Sequence, residues 1–380
     1  MKILHFSDTH LGYNDLDKIS SGGINLREQD FYDSFTEVID QAIEIKPDLI
    51  IHSGDFFHRP SPANRPMIFV LEQLIRLSEA GIPLVVIAGN HETPKTVYTS
   101  PILKAFRTVK GIYPIFNQAY ETIEFGELVV HGLPHINDDK VLRAEMDKIK
   151  PVKGKFNIIM LHTSIGKEYI MEEYGEQLYP RERLELLNQF NYVALGHWHN
   201  FQKVTKLKTA WYSGSTERMS DTEAGKDKGY CIIHLEKDKA VEPEFVAIKA
   251  RPWLRLDLKN CHEKEINVLE AEIKTFADQS DTKDALLSIY FQDIKVTQSV
   301  QLTNRHIYEV LPNAAHIHVK RKFVDDYQNE LGMQQQTESL DDLLGNFISD
   351  EYSDKAVAKS LIKKAKLYFE LYETGEYRNR

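Results

Sequence analysis

Cysteine is almost absent: Cys231 and Cys261 are the two in 380 residues. Two thiols cannot build a disulfide framework, and so sparse a usage fits a reducing compartment. Long apolar runs are missing as well. No stretch approaches the roughly 20 residues needed to cross a bilayer, and the opening "MKILHFSDTH" has no charged leader followed by a long apolar segment. Neither a membrane anchor nor a secretory signal is expected, and the expected location is cytoplasmic. Positive charge is also in deficit, with 47 Lys+Arg against 57 Asp+Glu and a net charge of −10. That balance argues against a chain that grips nucleic acid unaided, because phosphate contacts need clustered cations. The deficit is uneven, however. Asp325 to Arg380 holds 12 acids and 7 bases, and 12 − 7 = 5, half of the excess. Charge therefore leaves the substrate open.

What is present is ordinary globular material, 42% hydrophobic and 27% charged, in a chain long enough for two or three domains. In the first half, "KILHFSD", "DLIIHSGD", "PLVVIAGN", "NIIMLHTS" and "YVALGHWH" read as short buried strands that end in polar residues. Between the first two, Phe31, Phe35, Val38, Ile39, Ala42 and Ile43 recur at helical spacing and stop before Pro47. A second helix is predicted from about Arg65 to Glu79, ended by Gly81 and Pro83. Strand, helix, strand in this order means an α/β fold with a largely or partly parallel sheet. After Tyr212 the texture changes. "GYCIIHLEK" and "EFVAIKARPWLRLDL" look like paired strands, "EINVLEAEIKTFADQ" like a helix, and "ALLSIYFQD" and "HIHVKRK" like further strands. The Gln-rich "GMQQQTES" reads as a linker, followed by two helices in "LDDLLGNFI" and "DKAVAKSLIKKAKLYFELYE".

The chemistry lies at the strand ends. "YVALGHWHN" places His197 and His199 two apart, and on an extended segment residues i and i+2 face the same way. The other strand-like runs end in Asp8 and His10, in Asp55, in Asn90 with His91, and in His162. In open α/β sheets, sites form where the carboxyl ends of strands converge. One histidine there is ordinary; a set arriving from five strands points to metal. Seven mixed oxygen and nitrogen ligands exceed a tetrahedral zinc site and suit two octahedral ions such as manganese, iron or magnesium, with Asp55 as the natural bridge. Two divalent ions facing two aspartates, a phosphodiester and a hydroxide would leave the filled site near neutral. Such a pair suits phosphoester hydrolysis.

With these residues in view, "SDTH", "SGD", "GNHE", "LH" and "GHWH" resemble the ordered motifs of calcineurin-like metallophosphoesterases. More narrowly, "MKILHFSDTHLG", "HSGDFFHRPSP", "GNHE" and "YSGSTER" resemble the archaeal-type Mre11/SbcD nucleases of double-strand-break repair, in detail from Met1 to about Gly229. The resemblance implies a four-layered β-sandwich flanked by helices, then a small α+β capping domain and C-terminal helices. It implies one metal on Asp8, His10, Asp55 and His199, and a second on Asp55, Asn90, His162 and His197. Two manganese ions are expected, with magnesium or iron as alternatives. His91 takes the place of a catalytic histidine that is not a ligand and that stabilises the transition state or protonates the leaving oxygen. Glu92 stands where many family members have aspartate, and it retains a carboxylate able to orient that imidazole.

The same resemblance makes His58 a residue that directs DNA to the metals, and makes Ser213, Ser215 and Arg218 of the "YSGSTER" loop substrate-binding residues on the DNA path. His5 and His52 lie inside strands and are expected in the core or behind the ligands. His316 and His318 are expected to be solvated. The implied domains are a nuclease domain over 1–245, a capping domain over 250–322, a linker over 323–337 and helices over 338–380. Those last helices would dock through Leu361 and Phe369 on the coiled coil of a Rad50/SbcC-type ATPase. A homodimer through helices near Arg65–Glu79 and Pro94–Arg107 is implied too, as are DNA ends and single strands as partners in a nucleoid-associated setting. The rival readings are a small-substrate metallophosphodiesterase and a scaffold that tethers DNA ends without cutting.

Overall fold

The structure is a computed structural model, and it describes residues 1–20, 22–96, 98–165, 178–237, 241–324, 348, 357 and 359–364. Strands β1 (Lys2–Phe6), β2 (Leu49–His52), β3 (Leu84–Ile87) and β4 (Ile112–Ile115) pair in parallel. A second set comprises β5 (Glu121–Phe125), β6 (Leu128–Leu133), β7 (Phe156–His162), β8 (Tyr192–Gly196), β9 (Gln202–Lys203) and β10 (Ala210–Tyr212). Within it β6, β7, β8 and β10 run parallel, and β5 and β9 are antiparallel edges. The chain then returns through β11 (Gly229–His234) and β12 (Glu244–Ala247), which add antiparallel strands to the far side of β1. The sheet orders are β12-β11-β1-β2-β3-β4 and β5-β6-β7-β8-β10-β9.

Period-two alternation explains how two sheets and two helical layers stack. Ile3, Ile51, Val85 and Ile87 of the first sheet pack against Val130, Ile158, Met160 and Ala194 of the second, making an apolar seam between the sheets. Their neighbours Leu4, Phe6, Ile50 and Val86 point outward onto helices α1 (Leu26–Ile45) and α2 (Asn64–Glu79), where Phe31, Phe35, Val38, Val70 and Leu74 cover them. On the other side, Ile159, Leu161, Val193 and Leu195 meet Leu142 and Met146 of helix α3 (Asp139–Met146), with Leu187 and Phe190. The result is the four-layer α/β/β/α sandwich that the sequence implied. Helix α1 begins where Asn25 accepts hydrogen bonds from the N–H groups of Arg27 (2.9 Å) and Glu28 (3.2 Å), and ends with Lys46 in the left-handed region before Pro47.

Three features differ from the reading of the sequence. "EFVAIKARPWLRLDL" is two strands, because Pro252 lacks the N–H that a continuing ladder needs. Glu244–Ala247 pairs with β11, whereas β13 (Trp253–Leu258) joins β14 (Leu286–Ile294) and β15 (His316–Phe323) in a three-stranded sheet of order β13-β14-β15. In the stretch Pro94–Arg107, the described helical segment is the 3-10 turn Ile102–Thr108; Pro94 and Pro101 keep the residues before it out of a helix. His316 and His318 are half-buried rather than solvated. Their rings lie 4.4 Å apart, and His318 stacks on Trp253 at 5.7 Å.

By proximity the chain divides into two compact units: Met1–Asp257 with Ala271–Tyr290 and Asn304–Lys320, and Leu258–Glu270 with Phe291–Thr303 and the described residues from Arg321 onward. In the second unit, Gln298 donates to the carbonyls of Cys261 and Lys264, each at 2.7 Å. Neither cysteine is in a disulfide and both are buried, and among the described residues no helix is long and apolar enough to cross a membrane. Of the linker predicted over 323–337, Phe323 ends strand β15 and Val324 follows it, whereas its remaining residues and most of the two C-terminal helices, Phe369 included, lie outside the described residues; Leu361 is described and half-buried.

Candidate metal centre

The parallel strands of both sheets discharge their loops at a common edge, and the side chains singled out in the sequence gather there. Asp8, His10 and His199 place ligand atoms within 4.8 Å of one another, and so do Asp8, Asp55 and His162. His10 Nε2 lies 3.2 Å from His199 Nε2 and 3.6 Å from Asp55 Oδ2. His162 Nε2 lies 3.3 Å from Asp55 Oδ2 and 2.9 Å from Asn90 Oδ1. His197 packs its ring 5.3 Å from that of His162, and its backbone N–H donates to both oxygens of Asp8 at 3.0 and 3.1 Å. Asp8 is thus the residue common to both groupings, and Asp55 approaches the first through His10.

Local backbone makes the convergence possible. Asp8 (φ 53°), His10 (φ 40°), Asp55 (φ 55°) and His197 (φ 96°) all occupy the left-handed region, which side chains other than glycine rarely adopt. Each such residue costs about 1–3 kcal/mol and persists where the surroundings over-determine it. Here they do. The N–H groups of Asp8 and His10 donate to the carbonyls of Gly54 and Asp55, both at 3.0 Å, and the His91 N–H donates to Asp55 Oδ1 at 2.9 Å. Gly89 is required for closeness, because a β-carbon there would stand 2.2 Å from Asp55 Oδ1.

The donor set fits cations. Asp8 and Asp55 are 0% and 2% exposed, and among the described residues neither is paired with a lysine or arginine. Burying two carboxylates without a compensating charge is strongly unfavourable. The imidazole tautomers point the same way. His162 Nδ1 faces the Ser53 carbonyl at 2.8 Å and must donate to it, so in the neutral ring Nε2 turns a lone pair toward two oxygen acceptors, Asp55 Oδ2 and Asn90 Oδ1. His199 Nδ1 donates to Glu223 Oε1 at 3.1 Å, which aims its Nε2 lone pair inward as well. Something positive belongs between them. When that is a proton, His162 holds it: burial opposes its charged form, but the Asp55 carboxylate raises its pKa to about 10. Burial in turn pushes Asp55 up, yet the surrounding imidazoles, His162 first, hold it well below the usual carboxylate range. A divalent ion would occupy the same place with more charge.

Two histidines stand at the rim. His91 is 35% exposed at its side chain, its Nδ1 donates to the His58 carbonyl at 2.9 Å, and its Nε2 lies 4.0 Å from Asp55 Oδ2. His58 is brought in as the sequence suggested, its ring 5.1 Å from His91 and 5.6 Å from His10. Glu92 is a correction, since it does not orient the His91 ring. Its Oε1 accepts the N–H groups of Phe56 (3.1 Å) and Gly89 (3.0 Å), tying the Asp55 and Asn90 loops together. Burial first, and Asp55 second, push its carboxyl up to about 8.

The "YSGSTER" loop requires a second correction. Ser213 and Ser215 are buried and Arg218 is 8% exposed, so none lines an open substrate path. They donate inside the chain: Ser213 to the Gly214 carbonyl (3.2 Å), Ser215 to that of Glu217 (2.8 Å), and the two terminal nitrogens of Arg218 to those of Arg251 (2.8 Å) and Lys226 (2.5 Å). The loop belongs to a buried ionic network in which Arg27 pairs with Asp30 at 2.5 Å and Arg251 grips the same carboxylate with two bonds of 2.7 Å. His5 and His52 are core residues as expected, both 0% exposed. Glu223 and Lys228, behind His199, were not anticipated, and neither was a cleft lined in part by Asn14, Arg59 and Ser61, in the loops that follow His10 and His58, and by Arg65 in the first turn of α2.

A two-sheet sandwich with a buried pocket of carboxylates and imidazoles at its carboxyl edge defines a class. The pattern of calcineurin-like phosphoesterases matches residues 1–201, and the chain belongs to that family. It is a metal-dependent phosphodiester hydrolase. Within the family it is of the Mre11 type. It is similar to the DNA double-strand break repair protein Mre11 of Sulfurisphaera tokodaii, 36% identical over 302 residues that cover 76% of this chain and 72% of that one. The protein of the same name from Sulfolobus acidocaldarius is 34% identical over 68% of this chain and 66% of its own length. That from Methanococcus maripaludis is 28% identical over 76% and 77%.

Proposed function

We propose that the chain is a manganese-dependent nuclease that processes DNA double-strand breaks, trimming duplex ends and cutting single strands. The observation that carries this reading is the pairing of two buried carboxylates, neither matched by a lysine or arginine among the described residues, with the imidazole of His91 reaching the rim. Asp8, His10, Asp55 and His199 would hold one ion, and Asp55, Asn90, His162 and His197 another. Divalent ions bound there supply positive charge at the phosphodiester and make hydroxide available near neutral pH. The side chains do the rest. The His58 carbonyl fixes the hydrogen of His91 on Nδ1, so Nε2 is the atom that, when protonated, can stabilise the attacked phosphate and hand a proton to the leaving oxygen. The neighbouring ring of His58 narrows the approach. Arg59 in the adjoining cleft offers a guanidinium group to backbone phosphates, while Arg65 there pairs with Glu28 at 3.4 Å.

The partners in this reading are DNA, a second copy and a Rad50/SbcC-type ATPase. For the dimer, support comes from helix α2, where Ile68 and Ile75 are 57% and 46% exposed two turns apart, and from Tyr98, 95% exposed. The ATPase would supply further cationic surface and dock on the helices of residues 338–380 through Leu361 and Phe369. The strands and helices of 250–322 would form a capping domain after the nuclease domain of 1–245, with 323–337 as linker. The test is digestion of labelled linear duplex and of single-stranded circles with added manganese, beside a chromogenic phosphodiester. Nucleotide release from duplex ends and cutting of the circles are expected. Brisk hydrolysis of the small ester with both DNA substrates intact would overturn the reading in favour of a small-substrate phosphodiesterase, and no hydrolysis at all would favour a scaffold.

A further inference from the structure

His162 and His199 are held from behind by different chemistry. His162 Nδ1 donates to a neutral backbone carbonyl, that of Ser53. His199 Nδ1 donates to a carboxylate, Glu223 Oε1, at 3.1 Å. The other oxygen of Glu223 is clasped by the Lys228 ammonium, whose side chain is 0% exposed. Lys228 completes its set of acceptors with the His199 carbonyl at 2.7 Å and the Ser215 hydroxyl at 2.9 Å. The Met219 N–H gives Glu223 Oε1 a further bond at 3.2 Å. One buried pair thus grips His199 twice, at its ring nitrogen and at its backbone. The 3-10 turn Asp221–Glu223 that carries the carboxylate is pinned at its other end, where Asp221 accepts from the Tyr290 hydroxyl and, at 3.0 Å, from the Lys320 ammonium.

We infer that Glu223, braced by Lys228, is a positioning residue for His199: it fixes the ring so that Nε2 faces the ion site, and it makes this imidazole the stronger electron donor of the two. A carboxylate behind a ligating histidine raises ligand basicity and sets ring orientation, and its loss lowers metal affinity by about 10- to 100-fold. The ion served by His199 should therefore depend on Glu223, and the ion served by His162 should not. The inference rests on the two-ion reading of the pocket.

The experiment follows manganese binding to the full chain through the electron-paramagnetic-resonance signal of the free ion, beside the unfolding temperature of the metal-free protein. Wild type is expected to take up two ions. Glu223→Gln should weaken one of them 10- to 100-fold and leave the other within about twofold. Because that variant strands the Lys228 charge, the pair Glu223→Gln with Lys228→Met is made as well: it should recover the unfolding temperature without recovering the weakened site. The inference is overturned if the double variant binds both ions as wild type does, or if Glu223→Gln weakens both ions equally. Wild-type chain that takes up no manganese overturns the two-ion reading itself, a failure recognisable before any variant is made.

Discussion

His162 Nε2 lies 3.3 Å from Asp55 Oδ2 while the other nitrogen of the same ring is bound to the Ser53 carbonyl at 2.8 Å. A ring anchored in this way cannot turn its N–H toward the aspartate. The contact is favourable with a proton or a cation between the two atoms and unfavourable without one. This relationship is why the pocket is read as a place for positive charge rather than as a polar core.

His91 sits outside that arrangement, exposed at the rim and bound to a carbonyl rather than to a carboxylate. Replacing His91 with Ser should lower kcat on DNA by about 10²- to 10⁴-fold with metal content unchanged, because general acid–base chemistry is worth that much. Parallel measurement of turnover and of bound manganese decides it. Loss of metal would make His91 a ligand instead.

Close approach of the two sheets depends on Gly196. A β-carbon there would stand 2.1 Å from the Ser53 carbonyl oxygen and 2.9 Å from His162 Nδ1. Gly196→Ala should cost about 1–3 kcal/mol by overpacking and should reduce metal uptake by displacing His162. Gly22→Ala, whose β-carbon would meet nothing nearer than 3.8 Å, is the control expected to be near neutral. Thermal unfolding of both, with and without manganese, separates the outcomes.

His5 makes acid stability measurable. Its Nδ1 and Nε2 each lie 3.0 Å from a hydroxyl, of Tyr192 and Ser53, and burial lowers its pKa to about 3. In the unfolded chain it binds a proton below about pH 6.5, but in the folded chain it does not until about pH 3, so the folded state loses ground as pH falls through that window. The loss approaches about 1.4 kcal/mol per pH unit and vanishes above pH 6.5. Urea unfolding of the metal-free protein at pH 5 and pH 7 should show His5→Gln losing about 2 kcal/mol less than wild type over that interval. Equal losses would contradict the assignment.

Much of this was readable in the sequence because the signal was local. An apolar run that ends in a polar residue marks a strand with something to present, and Asp8, Asp55, Asn90, His162, His197 and His199 each follow such a run. Helix α1 declared itself through the spacing of Phe31, Phe35, Val38 and Ala42. What could not be read is set by contacts between distant residues. Nothing local announces that Asp8, His10 and Asp55 adopt left-handed backbone, since tertiary hydrogen bonds impose it. The hydroxyls and guanidinium of "YSGSTER" look like surface chemistry until Arg251, Lys226 and Glu223 are placed around them. Glu223 and Lys228 lie in a polar loop that composition alone assigns to solvent, yet both are buried. Glu92 touches Phe56 rather than the histidine beside it, because neighbouring residues in a tight loop point in different directions.

The central claim is a pair of cations gathered by side chains from both sheets, and anomalous scattering from crystals soaked in manganese tests it most directly. The expected map has two peaks about 3.5–4 Å apart, with Asp55 touching both and His162 turned toward one of them. A map in which Asp55 contacts no ion, or in which His162 faces away from the peak nearest His197, would contradict it.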